Sequence, residues 1–326
     1  MIIKKNNYGL TLIEVLVSIA IIAVLMSITI PALSGFMAKG YLAEDQSKIK
    51  GIFNALNGFS GQNSGAYPLP SNAVGENRKS NWSQVDGMTE NPEELNTSKN
   101  LWSLLIAQSF LSPKDLISPV ENNFNIKTFG ERQKTNGDYE SYDFSTLNDP
   151  NVLPWDQGFF AGASNERAHS SYAHLILQGT RLNRCWNSTS DSSILLAGNR
   201  APLYGGMVRD GANSTPDFNG ENWKCSKTLK FHGDENLWQG NVVAGDGSIN
   251  LIPSLPYSDN LSYFPPGRRR NGGPDNPYAD DFTVEFGKTF NDSGDIWLGV
   301  YDSFLIENQE LRPNVDQENS ADLDCE

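Results

Sequence analysis

At 326 residues the chain is longer than one average domain and can bury a real core, as one large or two modest folded units. Its 39 acidic against 25 basic residues leave a net charge of -14, which repels phosphate backbones and argues against a nucleic-acid partner. With 38% hydrophobic residues and a surplus of Gly, Asn, Ser and Asp, the composition suits a loop-rich extracytoplasmic domain better than a compact cytosolic enzyme.

The first element is apolar. Residues 6–25 read NNYGLTLIEVLVSIAIIAVL, with one acid, Glu14, just inside the run, and no charge follows from 15 to 38 until Lys39. Those 24 residues span about 36 Å as a helix, enough to cross a hydrocarbon core of about 30 Å. Lys4 and Lys5 precede the run, and a basic flank tends to stay cytoplasmic. A single-pass anchor in the inner membrane is therefore expected, with the N-terminus inside and the rest of the chain outside. A secretory signal is cut after a shorter apolar core, whereas the cleavable site here lies before the core.

The stretch YGLTLIEVLVSIAIIAVLMSITIPAL resembles the class III signal and N-terminal helix of type IV pilins and type II secretion pseudopilins. Gly9, Leu10 and Glu14 match the family's glycine, its hydrophobic residue after the cut and its glutamate at the fifth mature position, and Pro31 stands where many members carry a proline. The resemblance implies that a prepilin peptidase cuts between Gly9 and Leu10 and methylates the new amine of Leu10. The mature chain would then have 326 − 9 = 317 residues. It also implies a partner for Glu14, the α-amine of Leu10 on a neighbouring subunit. A carboxylate at membrane depth is costly unless paired, and a pairing of this kind favours one axial register between packed helices. The plain alternative is that Glu14 marks the interface end of an ordinary anchor.

Past Pro31 the helical period resumes. Leu42, Ile49, Ile52, Phe53, Leu56 and Phe59 form an apolar stripe, while Glu44, Asp45, Lys48 and Lys50 are assigned to the other faces. One helix is expected from about residue 10 to about residue 60, ended by Gly58 or Gly61 ahead of Tyr67-Pro68. Pro31, Gly35 and Gly40 make 31–40 either a soft joint or a static kink. Residues 47–70, SKIKGIFNALNGFSGQNSGAYPLP, resemble a subgroup of bacterial prepilin-like proteins whose first helix ends in a similar segment before a Gly-Tyr-Pro turn. That subgroup also carries, near its end, a processing-associated histidine followed by an Asp-Gly turn between two strands. His232 and Asp246-Gly247 are similar in kind, with thirteen residues between them, more than is usual in the family.

Residues 71–100 read as a long polar surface loop and 101–113, LWSLLIAQSFLSP, as a short amphipathic helix stopped by Ser112-Pro113. Between 121 and 168 apolar runs are few, with Trp155, Phe159 and Phe160 as anchors to the head. Strands are expected at 192–198, 228–233, 283–290 and 295–306, the last with Trp297, Val300 and Phe304 buried. GNVVAGDGSINLI, 240–252, reads as a hairpin turning at Gly245-Asp246-Gly247. The expected fold class is thus α+β and pilin-like, a long N-terminal helix packed on an antiparallel sheet with long loops. It divides into a leader (1–9), a transmembrane and assembly helix (10–38), its amphipathic half (39–61), a periplasmic or extracellular head (62–306) and a mobile acidic tail (307–326).

Little points to catalysis. His169, His174 and His232 are the three histidines, and no G-x-S-x-G, HExxH or GxxxxGK[ST] motif accompanies them. His169 and His174 read as loop residues and His232 as a structural histidine at a strand end. Cys185 and Cys225 can bridge a loop of about forty residues or remain free thiols, with Cys325 left over. No cofactor is expected. Asp275, Asp280, Asp281, Asp292 and Asp295 lie in Gly/Asn-rich loops of the kind hard calcium favours, but without a calcium-loop spacing, so solvated acidic loops are the plainer reading. Arg268, Arg269 and Arg270 form the one dense basic patch and suit docking on an acidic neighbour. The function expected is that of a prepilin-like structural subunit of a secretion pseudopilus or type IV pilus-like filament. Its partners would be prepilin peptidase, other pilin subunits and the assembly platform. The alternative is a surface ligand-binding or adhesive module on a pilin-type anchor. The large head favours a specialised, low-abundance component.

Overall fold

A computed structural model describes residues 11–130, 141–161, 168–200, 207–210, 213–216, 227–233, 238–252, 261–262, 296–300, 304–307 and 310–313. The chain divides into two units, Met1–Glu44 and Asp45–Glu326. Helix α1, Leu12–Gln62, has residues in both.

In the first unit α1 is apolar on every side, and its large side chains from Leu12 to Met37 are at least 46% exposed. A helix hydrophobic all round is built for burial in something other than water. Its polar side chains turn inward on their own backbone. Ser18 Oγ donates to the Glu14 carbonyl at 2.7 Å, Ser27 Oγ to that of Val24 at 2.7 Å and Thr29 Oγ1 to that of Leu25 at 3.0 Å. The hydroxyls are thereby satisfied without water. Pro31 lies inside the continuous helix.

In the second unit the same helix becomes one-sided. Ile49, Ile52, Leu56 and Phe59 are buried, as their spacing predicts, and Phe53 is half-buried, as is Leu42 of the first unit. Asp45 departs from expectation. It is fully buried rather than on a solvent face, because it stands four residues before Ile49 and shares that stripe.

Residues 71–100 are more ordered than a surface loop. They hold α2 (Pro70–Ala73), α3 (Gly75–Ser80) and two 3-10 turns, Trp82–Gln84 and Pro92–Leu95. Pro70 and Pro92 open two of these elements at the position where a missing N–H costs nothing. Val74, Val85, Met88 and Leu95 point into the core. Helix α4, Ser98–Ala107, is capped by Thr97, whose side chain accepts from the Asn100 N–H. It ends at Gln108, followed by Ser109 at φ +62°, four residues short of Ser112-Pro113, which instead open the 3-10 turn Pro113–Leu116.

The sheet contains β1 (Tyr172–Leu175), β2 (Leu195–Asn199), β5 (Gly240–Ala244), β6 (Ile249–Ile252), β7 (Leu261–Ser262) and β8 (Ile296–Gly299), in the order β6-β5-β2-β1-β8-β7. Every pairing is antiparallel except β7 with β8. Strands β1, β2 and β5 are buried along their whole length. Helix α5, Gly179–Cys185, follows β1, and Trp102, Trp155, Phe159, Tyr172 and Trp238 fill the core with the α1 stripe. Phe160 is half-buried. Two further hairpins stand apart from this sheet: β3 (Met207–Asp210) with β4 (Asn213–Pro216), and β9 (Phe304–Glu307) with β10 (Glu310–Pro313).

Several expectations change. The strand expected at 228–233 is a 3-10 turn, Lys227–Lys230, that buries the adjacent pair Thr228 and Leu229, a pattern no alternating strand produces. The tail expected from 307 onward is paired as far as Pro313 through β10. His169 and His174 are buried, the latter within β1. Val300 packs at the core edge, and the strand expected at 283–290 lies outside the described residues.

Candidate functional site

Two places carry the residues singled out by the sequence. The first is the start of α1. Gly9 and Leu10 lie outside the described residues, and Thr11 is the first described. The Glu14 carboxylate accepts from the Thr11 backbone N–H at 2.8 Å and from Thr11 Oγ1 at 2.7 Å, while the Glu14 N–H donates to Thr11 Oγ1 at 3.3 Å. Thr11-Leu12-Ile13-Glu14 is therefore a capping box, satisfying two donors that a helix start leaves orphaned. The T-x-x-E spacing carries this signal in the sequence alone.

The second place is the buried carboxylate of Asp45. Five donors from separate parts of the chain converge on it. Oδ1 accepts from Ser118 Oγ at 2.5 Å, Tyr172 OH at 2.9 Å and Asn199 Nδ2 at 3.2 Å. Oδ2 accepts from Asn241 Nδ2 at 2.7 Å and, with the proton on Nε2, from His232 at 3.1 Å. The Asn241 backbone N–H donates to Asn199 Oδ1 at 2.7 Å, and Gln46 Nε2 to Asn241 Oδ1 at 3.3 Å, so the amides are oriented by second partners. Burial by itself would raise the Asp45 pKa. The hydrogen bonds from His232, Ser118 and Asn241 and the His232 charge outweigh it and hold the carboxyl below its ordinary value. The same burial, with the Asp45 charge beside it, pushes the Tyr172 hydroxyl well above its ordinary range, so it stays a donor. The side chains of the cluster are buried, and its geometry suits holding an ionised carboxylate in place.

The Asp246-Gly247 turn joins β5 to β6 and meets α1 one turn beyond Asp45. Lys50 Nζ donates to the Gly247 carbonyl at 2.7 Å and lies 4.6 Å from the Phe53 ring centroid. Gly247 has φ +80°, and a Cβ there would fall 2.6 Å from Phe53 and 2.7 Å from Lys50 Nζ, so both backbone and space require glycine. His232 and Asp246-Gly247, far apart from the Gly9 region in sequence, thus belong to the helix anchor.

A family profile described as "Prokaryotic N-terminal methylation motif" matches residues 4–30. The N-terminal stretch of the chain is thus similar to that of pilin-type precursors. No curated protein and no solved structure is significantly similar to the chain. Helix α1, into which the motif extends, is long and apolar enough to cross a membrane by length and composition, which supports a membrane anchor.

The remaining candidates divide. Among the described residues Cys185, buried at the end of α5, has no disulfide partner, and Cys225 lies outside the described residues. Among the described residues no group of three His, Cys, Asp or Glu side chains is arranged to hold a metal ion. The acidic loops at 275–295 and Arg268, Arg269 and Arg270 lie outside the described residues.

Proposed function

We propose that the chain is a prepilin-like structural subunit that is cut between Gly9 and Leu10, methylated on Leu10 and assembled through α1 into a type II secretion pseudopilus or type IV pilus-like filament. The observation that carries this reading is the methylation motif at 4–30 running directly into a helix whose apolar surface is uncovered over its first unit. Before assembly the helix sits in the inner membrane with the head outside; in the filament, like helices cover one another. The partners are prepilin peptidase, other pilin-type subunits and the assembly platform. Intact mass of the protein from cells with and without prepilin peptidase tests it. Loss of residues 1–9 and gain of one methyl group, both dependent on the peptidase, is the expected result. An unprocessed chain in both strains would leave α1 a plain anchor.

Glu14 is assigned two tasks in this reading, capping its own helix and pairing with the Leu10 amine of a neighbour. Substitution separates them. Thr11→Ala removes the cap hydroxyl at a cost of about 1 kcal/mol but keeps the carboxylate, and should leave filament incorporation near wild type. Glu14→Ala removes both and should abolish incorporation, measured as the tagged subunit recovered in sheared filaments. Equal incorporation by the two variants would reduce Glu14 to a helix cap.

A further inference from the structure

We propose that His232, Asn241 and Gly247 together form a clasp that locks the axial register of α1 on the sheet and sets Asp45 as the first residue of the helix that cannot unwind independently. His232 and Gly247 grip α1 at two points five residues apart. His232 donates to the Asp45 carboxylate and the Gly247 carbonyl accepts from Lys50, while Asn241, between them on β5, donates to the same carboxylate. A third contact reinforces the turn of helix between them: Lys48 Nζ donates to the Lys114 and Ile117 carbonyls at 3.0 and 2.8 Å.

Apolar packing cannot set this register. Ile49, Ile52, Leu56 and Phe59 recur every three or four residues, so a slip of one turn, about 5.4 Å, would offer the sheet a similar stripe. The same slip would carry Asp45 away from five donors and leave both the charge and the donors buried without partners. Specificity of this kind is what a buried polar residue contributes where hydrophobic contacts are repetitive. The long spacing from His232 to Asp246 is compatible with the arrangement. Strand register fixes Asn241 and the turn, and His232 contacts the Asp45 carboxylate independently of that register.

The two parts of α1 differ accordingly. Nothing lies within 4 Å of a Cβ placed at Gly35 or Gly40, and residues 35–41 are exposed, so unwinding there breaks helix hydrogen bonds alone. From Asp45 onward unwinding also breaks the clasp.

Hydrogen exchange on the full chain in detergent micelles tests this, read by mass spectrometry on overlapping peptides. In the wild type, amides of 39–44 should exchange fast and those of 46–53 as slowly as those of β1 and β2. A slow segment that starts at Gly51 or later, or that continues back through Gly40, would overturn the proposal. In the His232→Phe/Lys50→Met double variant, exchange in 46–53 should rise about tenfold or more, the scale of losing a hydrogen bond to a charged group, with β1 and β2 unchanged. A uniform rise across the head would make these residues ordinary core contacts, and no rise would remove the clasp. Should the double variant fail to fold, the wild-type boundary still decides. Both readouts are taken on the unassembled chain and are independent of whether it enters a filament.

Discussion

Asp45→Ala should lower the unfolding free energy of the full-length chain by about 3–5 kcal/mol, the largest loss expected of any single substitution in α1. The cost does not come from apolar area, since a carboxylate contributes little of that. It comes from the donors: Ser118, Tyr172, Asn199, His232 and Asn241 are all aimed at one point, and an alanine leaves a polar cavity with none of their acceptors. Asp45→Asn should cost less, about 1–3 kcal/mol, because its oxygen can serve the three Oδ1 donors while its amide opposes the Asn241 amide. Ile49→Val, one turn along the same stripe, calibrates the series at about 0.5–1.5 kcal/mol. Urea unfolding in detergent, followed through the buried Trp102, Trp155 and Trp238, measures all three. A loss below about 1 kcal/mol for Asp45→Ala would mean that water satisfies the donors and that the carboxylate is dispensable. The Asn variant adds a check by pH. The Asp45 carboxyl titrates below its ordinary value of 3.8, so its stabilisation is complete above that pH and lost as pH falls through the lower folded value. That acid loss should be absent in Asp45→Asn.

The parts of this fold that were legible in the sequence are those whose cause is local. The apolar run before Lys39, the stripe from Ile49 to Phe59 and the Gly-Asp-Gly turn between β5 and β6 each follow from spacing within a dozen or so residues. Asp45 was within reach of the same reasoning. Positions 45, 49, 52, 56 and 59 form one stripe, which a carboxylate joins only when it is paired, and charged residues are rarely buried otherwise. Its partners were not legible, because Ser118, Asn199 and Asn241 lie 73, 154 and 196 residues away along the chain. His174 escaped for another reason. Tyr172-Ala173-His174-Leu175 is buried on both faces of the sheet, so it shows no alternation and the histidine reads as a break.

That histidine yields the second large effect, acid destabilisation of the head between about pH 6.5 and pH 4. His174 is fully buried; Nε2 lies 2.8 Å from Ser98 Oγ and Nδ1 lies 2.7 Å from the Leu175 carbonyl. A neutral ring with its proton on Nδ1 donates to that carbonyl and accepts from the Ser98 hydroxyl, while Trp102 packs edge-on at 5.4 Å. Burial pulls the pKa from 6.5 down to about 4, partly opposed by the Leu175 carbonyl. The sign follows from which state binds the proton. Above pH 6.5 the ring is neutral folded and unfolded, and contributes nothing to the pH dependence. Below it the unfolded chain takes up a proton that the folded chain refuses, so stability falls until about pH 4, by about 3 kcal/mol in all. Asp45, whose folded carboxyl lies below 3.8, adds to this loss only at the acid edge of the window, where the unfolded carboxyl begins to take up a proton. His174→Gln keeps a donor and an acceptor without a titrating group, at some cost in packing against Trp102. Unfolding free energies of wild type and variant, measured at half-unit steps of pH, should therefore diverge near neutrality and converge toward pH 4. Parallel curves would show that the folded head accommodates a charged His174, which the geometry around Ser98 and Leu175 does not allow without rearrangement.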